Sequence, residues 1–204
     1  MKAESSAVLC LASLSPRRRE LLAQIGVPHR IAAAGVDESV LAGERAADYV
    51  LRIARAKALA LFARDASLPV LGADTTVVID EEILGKPRDA AEGRAMLARL
   101  SARTHRVLSA VALATRGGVG FRLSASEVRF RSLSAEECTA YWRTGEPRDK
   151  AGGYAIQGRG AVFVEHLSGS YSGVMGLPLF ETAQLLSAAG VPYWRDALAE
   201  PAPP

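Results

Sequence analysis

The sequence predicts an α/β protein built on a mixed sheet. Three observations lead there. Short apolar runs alternate with stretches of helical period, the pattern of strands packed against helices. Two of the runs, 105–114 and 121–130, flank the turn residues Arg116-Gly117-Gly118 and form an antiparallel hairpin, which a strictly parallel sheet excludes. No Pro/Gly/Ser-rich linker divides the 204 residues, so a single domain over 1–204 is expected, with flexible tails at 1–7 and 196–204.

The elements follow in order. Residues 7–12 form a short apolar run, read as a buried strand. Ser15 stands at an N-cap position and Pro16 at the first helical residue. Leu21, Leu22 and Ile25 supply that helix's apolar face, and Gly26 ends it. A second strand is predicted over 29–34, then a polar loop, Gly35 to Ser39. Residues 46–64 predict a long helix with Tyr49, Val50, Ile53, Ala54 and Leu61 on one side. The next strand, 69–73, ends at Asp74-Thr75, and 76–79 continues as strand. Asp80-Glu81-Glu82 is a turn, followed by Ile83-Leu84-Gly85-Lys86-Pro87 and a helix over 90–100. After the hairpin, Ser134 with Glu137 forms a capping box for a helix reaching Arg143. Residues 145–160 are rich in glycine and charge. A strand over 161–166 follows, and Leu177-Pro178 opens a final helix to Ala189.

Composition narrows the function classes. Hydrophobic residues are 49% and charged residues 23%, as in a soluble globular protein. The net charge of +3 is carried by dispersed basic residues, which favours a local anion site over nucleic acid. No apolar run is long enough for a membrane span. Met1 to Ser6 carries no signal-peptide pattern, and Cys10 and Cys138 match no metal spacing, so structural thiols in the cytoplasm are expected.

Four segments can carry chemistry. In Leu11-Ala12-Ser13-Leu14-Ser15-Pro16-Arg17-Arg18-Arg19, three arginines crowd the first helical turn. The helix dipole is already positive there, so the cations suit a bound polyanion unless they are merely a solvated surface. Successive helical residues splay by about a quarter turn or more, so the three cannot share one ligand. Arg17 and Arg18 lie nearest the loop, and Arg19 is expected at the surface. In Gly72-Ala73-Asp74-Thr75, the carboxylate at a sheet end can hold a metal, orient a water or simply cap a turn. Lys86, stiffened by Pro87, is an exposed loop lysine or a point charge for phosphate. Asp149-Lys150-Ala151-Gly152-Gly153 to Gln157-Gly158 is a flexible connector or a close backbone approach, with Gln157 suited to a nucleobase edge. Glu38 is a loop acid that could ligate a metal or is simply solvated, and Lys57 reads as a solvated lysine on a polar helix face. His29, His105 and His166 have no ligand spacing and no evident nucleophile beside them.

Together these segments, with Gly169-Ser170-Tyr171 and Val174-Met175-Gly176-Leu177-Pro178, resemble the Maf family of nucleotide pyrophosphatases over nearly the whole chain. The resemblance implies a fold like that of inosine triphosphate pyrophosphatases: elongated, two-lobed, with a central cleft. It implies hydrolysis of a nucleoside triphosphate to the monophosphate and pyrophosphate, with a divalent cation (Mg²⁺, Mn²⁺ or Co²⁺) and a homodimer. By that similarity Asp74 is the proton acceptor, and Ser13, Glu38, Lys57 and Lys86 match further polar positions of the cleft. The mechanism expected from this has the metal held by Glu38 and Asp74, and the substrate bound by Ser13, Arg18, Lys57 and Lys86. Arg17, Thr75 and Gln157 match the specificity residues of the branch that hydrolyses dTTP and UTP. The sister branch acting on 7-methyl-GTP carries Trp, Gln and Glu at those places. A role in pool sanitation and cell division is implied, with a 7-methyl-GTP pyrophosphatase or a non-catalytic nucleotide-binding regulator of septum formation as the alternatives.

Overall fold

The computed structural model describes residues 7–194; of the expected tails, all but Ala7 lie outside the described residues. In chain order the elements are β1 (Leu9–Leu11), α1 (Pro16–Gln24), β2 (His29–Ile31), α2 (Ala46–Arg64), β3 (Val70–Ile79), β4 (Glu82–Leu84) and α3 (Ala90–Leu100). There follow β5 (Thr104–Thr115), β6 (Gly118–Phe130), α4 (Ala135–Arg143), β7 (Val164–Ser168), α5 (Tyr171–Met175) and α6 (Leu179–Ala188). Short 3₁₀ turns at Glu146–Asp149, Ala151–Gly153 and Arg159–Phe163 fill the glycine-rich stretch. Among the described residues no helix is long and apolar enough to cross a membrane.

The seven strands form one mixed sheet in the order β2-β1-β3-β5-β6-β7, with β4 also paired to β3. β1 runs parallel to β2 and β3, and the other pairs are antiparallel. The shape of β3 decides where the cleft lies. One edge of β3 pairs with β5 from Val70 to Val78. The other edge pairs with β1 only as far as Leu71 and with β4 only from Val77. The intervening stretch faces an opening, and Asp74 stands in its middle. The expectation that the strand ends at Asp74 is therefore corrected. The ladder to β5 carries the backbone straight through this position, and what ends here is the cover from β1.

The core divides about this opening. On one side Phe130, Leu97, Leu100, Phe163 and Tyr141 pack beneath α3 and α4. On the other Leu9, Leu11, Leu22, Leu71, Leu177 and Leu186 pack beneath α1 and α6. Helix α2 spans β3 and β5 through Val50, Ala54, Ala58, Leu108 and Ala112. Its small residues allow close approach to Gly72, where a Cβ would sit 2.2 Å from the Ala54 carbonyl oxygen and 2.7 Å from the Ala58 nitrogen. Backbone atoms cannot rotate aside as a side chain can. Gly72→Ala should therefore destabilise the protein by about 3 kcal/mol, the upper end for overpacking, read as a fall in the denaturant midpoint.

Helices α2 and α3 have the predicted ends, and α4 carries the predicted capping box, with both Ser134 and Glu137 engaged. Other boundaries moved. Strand β2 stops at Ile31, and β7 begins at Val164 because Arg159–Phe163 turns as a 3₁₀ segment. Helix α5 was not predicted: five residues are too few to show a period. The Ser15 side chain makes no capping bond. The hydroxyl of Ser13 instead accepts from the Ser15 backbone N–H at 3.1 Å.

Candidate active site

The opening along β3 is the floor of a cleft of about 720 Å³, within the range of small-ligand sites. One wall is the loop and first turn of α1, with Ser13, Arg17 and Arg18. Another is Gly35 to Val40 with Tyr49 and Lys57 of α2. The far wall is Gly85-Lys86 and the segment from Asp149 to Gln157. Ser13, Arg17, Arg18, Glu38, Lys57, Asp74, Thr75, Lys86 and Gln157 all line this one space. Arg19 is exposed and outside the lining, and none of the three histidines reaches it among the described residues.

At the centre, Lys57 Nζ lies 2.9 Å from Asp74 Oδ1 and 2.9 Å from Glu38 Oε1. Lys57 is 8% exposed and Asp74 6%. This overturns the reading of Lys57 as a solvated lysine on a polar face. The buried residues of α2 are Val50, Ile53, Ala54, Lys57, Ala58 and Leu61, a single stripe at helical spacing. That spacing was present in the sequence, and a lysine within it was the signal that its charge must be paired indoors. The helical period accounts for Tyr49 only as part of the apolar side of α2. Tyr49 also lines the cleft, and its hydroxyl donates to the Glu38 carbonyl oxygen at 3.1 Å.

The electrostatics follow from this packing. Burial pushes the Asp74 carboxyl above its usual value, against the pull of Lys57 and Arg18. For Glu38 burial acts in the same direction, yet Lys57, Lys86 and Arg18 outweigh it and hold that carboxyl low. Burial draws the Arg18 guanidinium below its usual value, while Asp74 pulls it back up. Burial, then Asp74 and Glu38, push the Tyr49 hydroxyl up to about 12. Five basic side chains (Arg17, Arg18, Lys57, Lys86 and Lys150) face three acidic ones (Glu38, Asp74 and Asp149) across the lining. The excess of positive charge suits an anionic ligand.

The surroundings hold these groups in place. Arg18 Nε donates to the Gly176 carbonyl at 2.7 Å, and its Nη1 to Ser13 Oγ at 3.3 Å. Arg17 reaches across to Asp149 at 3.5 Å. The glycine-rich segment is not a slack connector. Gly152 N–H donates to the Gly85 carbonyl, and Gly152 takes φ +67° where a Cβ would strike Val77. Glu146 gathers the rest, accepting from the Tyr141 hydroxyl at 2.6 Å and from the backbone N–H groups of Arg159 and Gly160. Deeper in, His105 Nε2 and the Tyr154 hydroxyl are 2.8 Å apart, and burial holds that imidazole down to about 4. His105 thus stands as a neutral packing residue behind Tyr154.

No three His, Cys, Asp or Glu side chains converge to hold a cation by themselves among the described residues. Two hard oxygen donors do converge, since Glu38 and Asp74 meet on the single ammonium of Lys57. One or two carboxylates completed by phosphate oxygens is the usual donor set of Mg²⁺ at a phosphate site. The residues therefore fit such an ion in the company of a polyphosphate ligand.

A net-positive cleft with a buried carboxylate of raised pKa on its floor defines an α/β protein equipped to bind a polyanion and move a proton beside it. The chain belongs to the Maf family: the sequence model described as Maf-like protein matches residues 8–189. It is 54% identical over 199 residues to a dTTP/UTP pyrophosphatase of Saccharophagus degradans, covering 96% of this chain and 95% of that one. It is 55% identical over 201 residues to the protein of that name from Alkalilimnicola ehrlichii, covering 96% and 99%. A third, from Methylobacillus flagellatus, is 56% identical over 183 residues, covering 89% and 92%.

Proposed function

We propose that this chain hydrolyses dTTP and UTP to the nucleoside monophosphate and pyrophosphate. The observation that carries the reading is Asp74, a buried carboxylate of raised pKa at the centre of a cleft with excess positive charge. The names of the relatives supply the substrate class, and Arg17, Thr75 and Gln157 in the same lining agree with it.

The triphosphate lies against the start of α1, with Arg18, Lys57 and Lys86 opposing its charge. Asp74 accepts the proton of a water whose oxygen attacks the α-phosphorus. The bond from that phosphorus to the bridging oxygen breaks, and pyrophosphate leaves. Lys57 engages Asp74 Oδ1, which leaves Oδ2 for the proton. The raised pKa makes Asp74 a stronger base than an ordinary aspartate. When bound, a divalent cation held by Glu38, Asp74 and phosphate oxygens would neutralise charge and acidify water. Thr75 and Gln157 meet the nucleoside, with Arg17 beside them.

A panel of nucleoside triphosphates assayed for pyrophosphate with added Mg²⁺ tests the reading. Release from dTTP and UTP ahead of the purine triphosphates supports it, and no release, or a preference for 7-methyl-GTP, overturns it. Gln157→Glu should lower kcat/KM for dTTP and UTP by about tenfold, the cost of a lost amide donor. The same panel, run on the variant, reads that change.

A further inference from the structure

We infer that Ser109 is a positioning residue that turns Thr75 into a pure hydrogen-bond acceptor toward the cleft. This rests on the reading that a nucleoside triphosphate occupies the cleft with Thr75 beside its nucleoside.

The argument is a count of protons. Ser109 lies on β5 directly across from Thr75 on β3, so the two side chains share one face of the sheet. Ser109 is 1% exposed, and its Oγ is 2.6 Å from the Gly173 carbonyl oxygen. A carbonyl cannot donate, so this contact consumes the one hydroxyl proton of Ser109. The second contact of Ser109 is with Thr75 Oγ1 at 2.9 Å. With the serine proton already used, Thr75 must be the donor there. The only other protein acceptor Thr75 meets among the described residues is the Gly176 carbonyl at 3.4 Å. The Ser109 contact is the shorter by 0.5 Å, so the threonine proton is directed there, into the protein. What remains for the cleft, where Thr75 is half-buried, is oxygen lone pairs.

The partner of Thr75 is therefore a proton donor on the nucleoside: the imide N–H of a uracil or thymine ring, or a sugar hydroxyl. A group that offers only an acceptor meets the threonine lone pairs and is disfavoured. Gly173 and Gly176 belong to α5 and its C-terminal turn, and Gly176 also receives Arg18. The same short segment thus orients a phosphate-facing arginine and the threonine beside the nucleoside.

The test is a double-mutant cycle on UTP with Ser109→Ala and Thr75→Val. If Ser109 acts through Thr75, Ser109→Ala raises KM for UTP by about tenfold with kcat within about twofold, and has no further effect in the Thr75→Val background. An unchanged KM in folded Ser109→Ala protein overturns the proposal, as does a full effect that persists in the Thr75→Val background. Binding to the unaltered protein keeps the idea falsifiable should Ser109→Ala fail to fold. N3-methyl-UTP lacks the imide proton, and 2′,3′-dideoxy-UTP lacks the sugar hydroxyls. One of them must lose affinity against UTP by calorimetry, and that loss must vanish in Thr75→Val; equal affinities for all three overturn the proposal. Calorimetry needs no turnover, so an absence of pyrophosphate release, which refutes the proposed reaction, leaves this result readable.

Discussion

Asp74→Asn will lower kcat for dTTP and UTP by about a thousandfold, the middle of the range for loss of a general base, and the protein will remain folded. The substitution keeps the shape and the acceptor oxygen for Lys57 but removes the basic site. Burial raises the Asp74 pKa above 3.8, so the folded protein holds this proton more tightly than the unfolded chain does. The sign for stability follows. The stabilising contribution of the protonated group is complete below the unfolded value and is lost as pH rises through the folded one. At neutral pH the ionised side chain therefore opposes folding, and a neutral Asn relieves it. The thermal midpoint of Asp74→Asn should be no lower than that of the parent at pH 7. A clear fall would show that the ion pair with Lys57 contributes more than burial costs. In the parent, kcat/KM should fall on the acid side as Asp74 takes its proton. With no metal bound, the Asp74 carboxyl should titrate above the ordinary aspartate range, which NMR titration of the metal-free protein would detect.

Lys57→Met is the second large effect, and it reaches both activity and stability. Methionine fills the volume of the alkyl stem within the α2 stripe but leaves Asp74 and Glu38 facing each other without a cation. Removing one partner of a buried pair costs about 3–5 kcal/mol, and Glu38 is partly exposed, so about 3 kcal/mol is expected by denaturant titration. The two carboxylates then share one uncompensated site, and a proton on Asp74 relieves their repulsion. The acid limb of kcat/KM should accordingly move to higher pH than in the parent. Turnover at neutral pH should drop by about a hundredfold or more as phosphate loses a cation and the base is protonated. A variant of parental stability with an unmoved pH profile would show that Lys57 does not govern Asp74.

The two predictions depend on different kinds of information. Asp74 stood out as a carboxylate flanked by small residues after an apolar run, and its motif was visible before any fold was known. Its surroundings were not. That Asp74 is buried in mid-strand depends on where β1 and β4 stop, and those ends are three-dimensional pairings with no local signature. Lys57 shows the opposite case. Its place in the stripe of Val50, Ile53, Ala54, Ala58 and Leu61 was open to a count of spacings, but a lysine on a helix suggests solvent. Helix α5 and the hydroxyl pair Thr75–Ser109 left no readable signal. The first is a single turn, and the second joins residues 34 positions apart through strand register.

By itself the sequence determined the mixed α/β class, the long helices and the capping box of α4, the family and the residues that would meet in a cleft. Each of these is written in local spacing or in an ordered set of short motifs. Only the tertiary structure decided the electrostatic surroundings and the direction of those groups. It buried Asp74, set one lysine between two carboxylates and turned the Thr75 proton inward. Burial and hydrogen-bond polarity are properties of what surrounds a side chain, and its surroundings come from strands and loops far away in the chain.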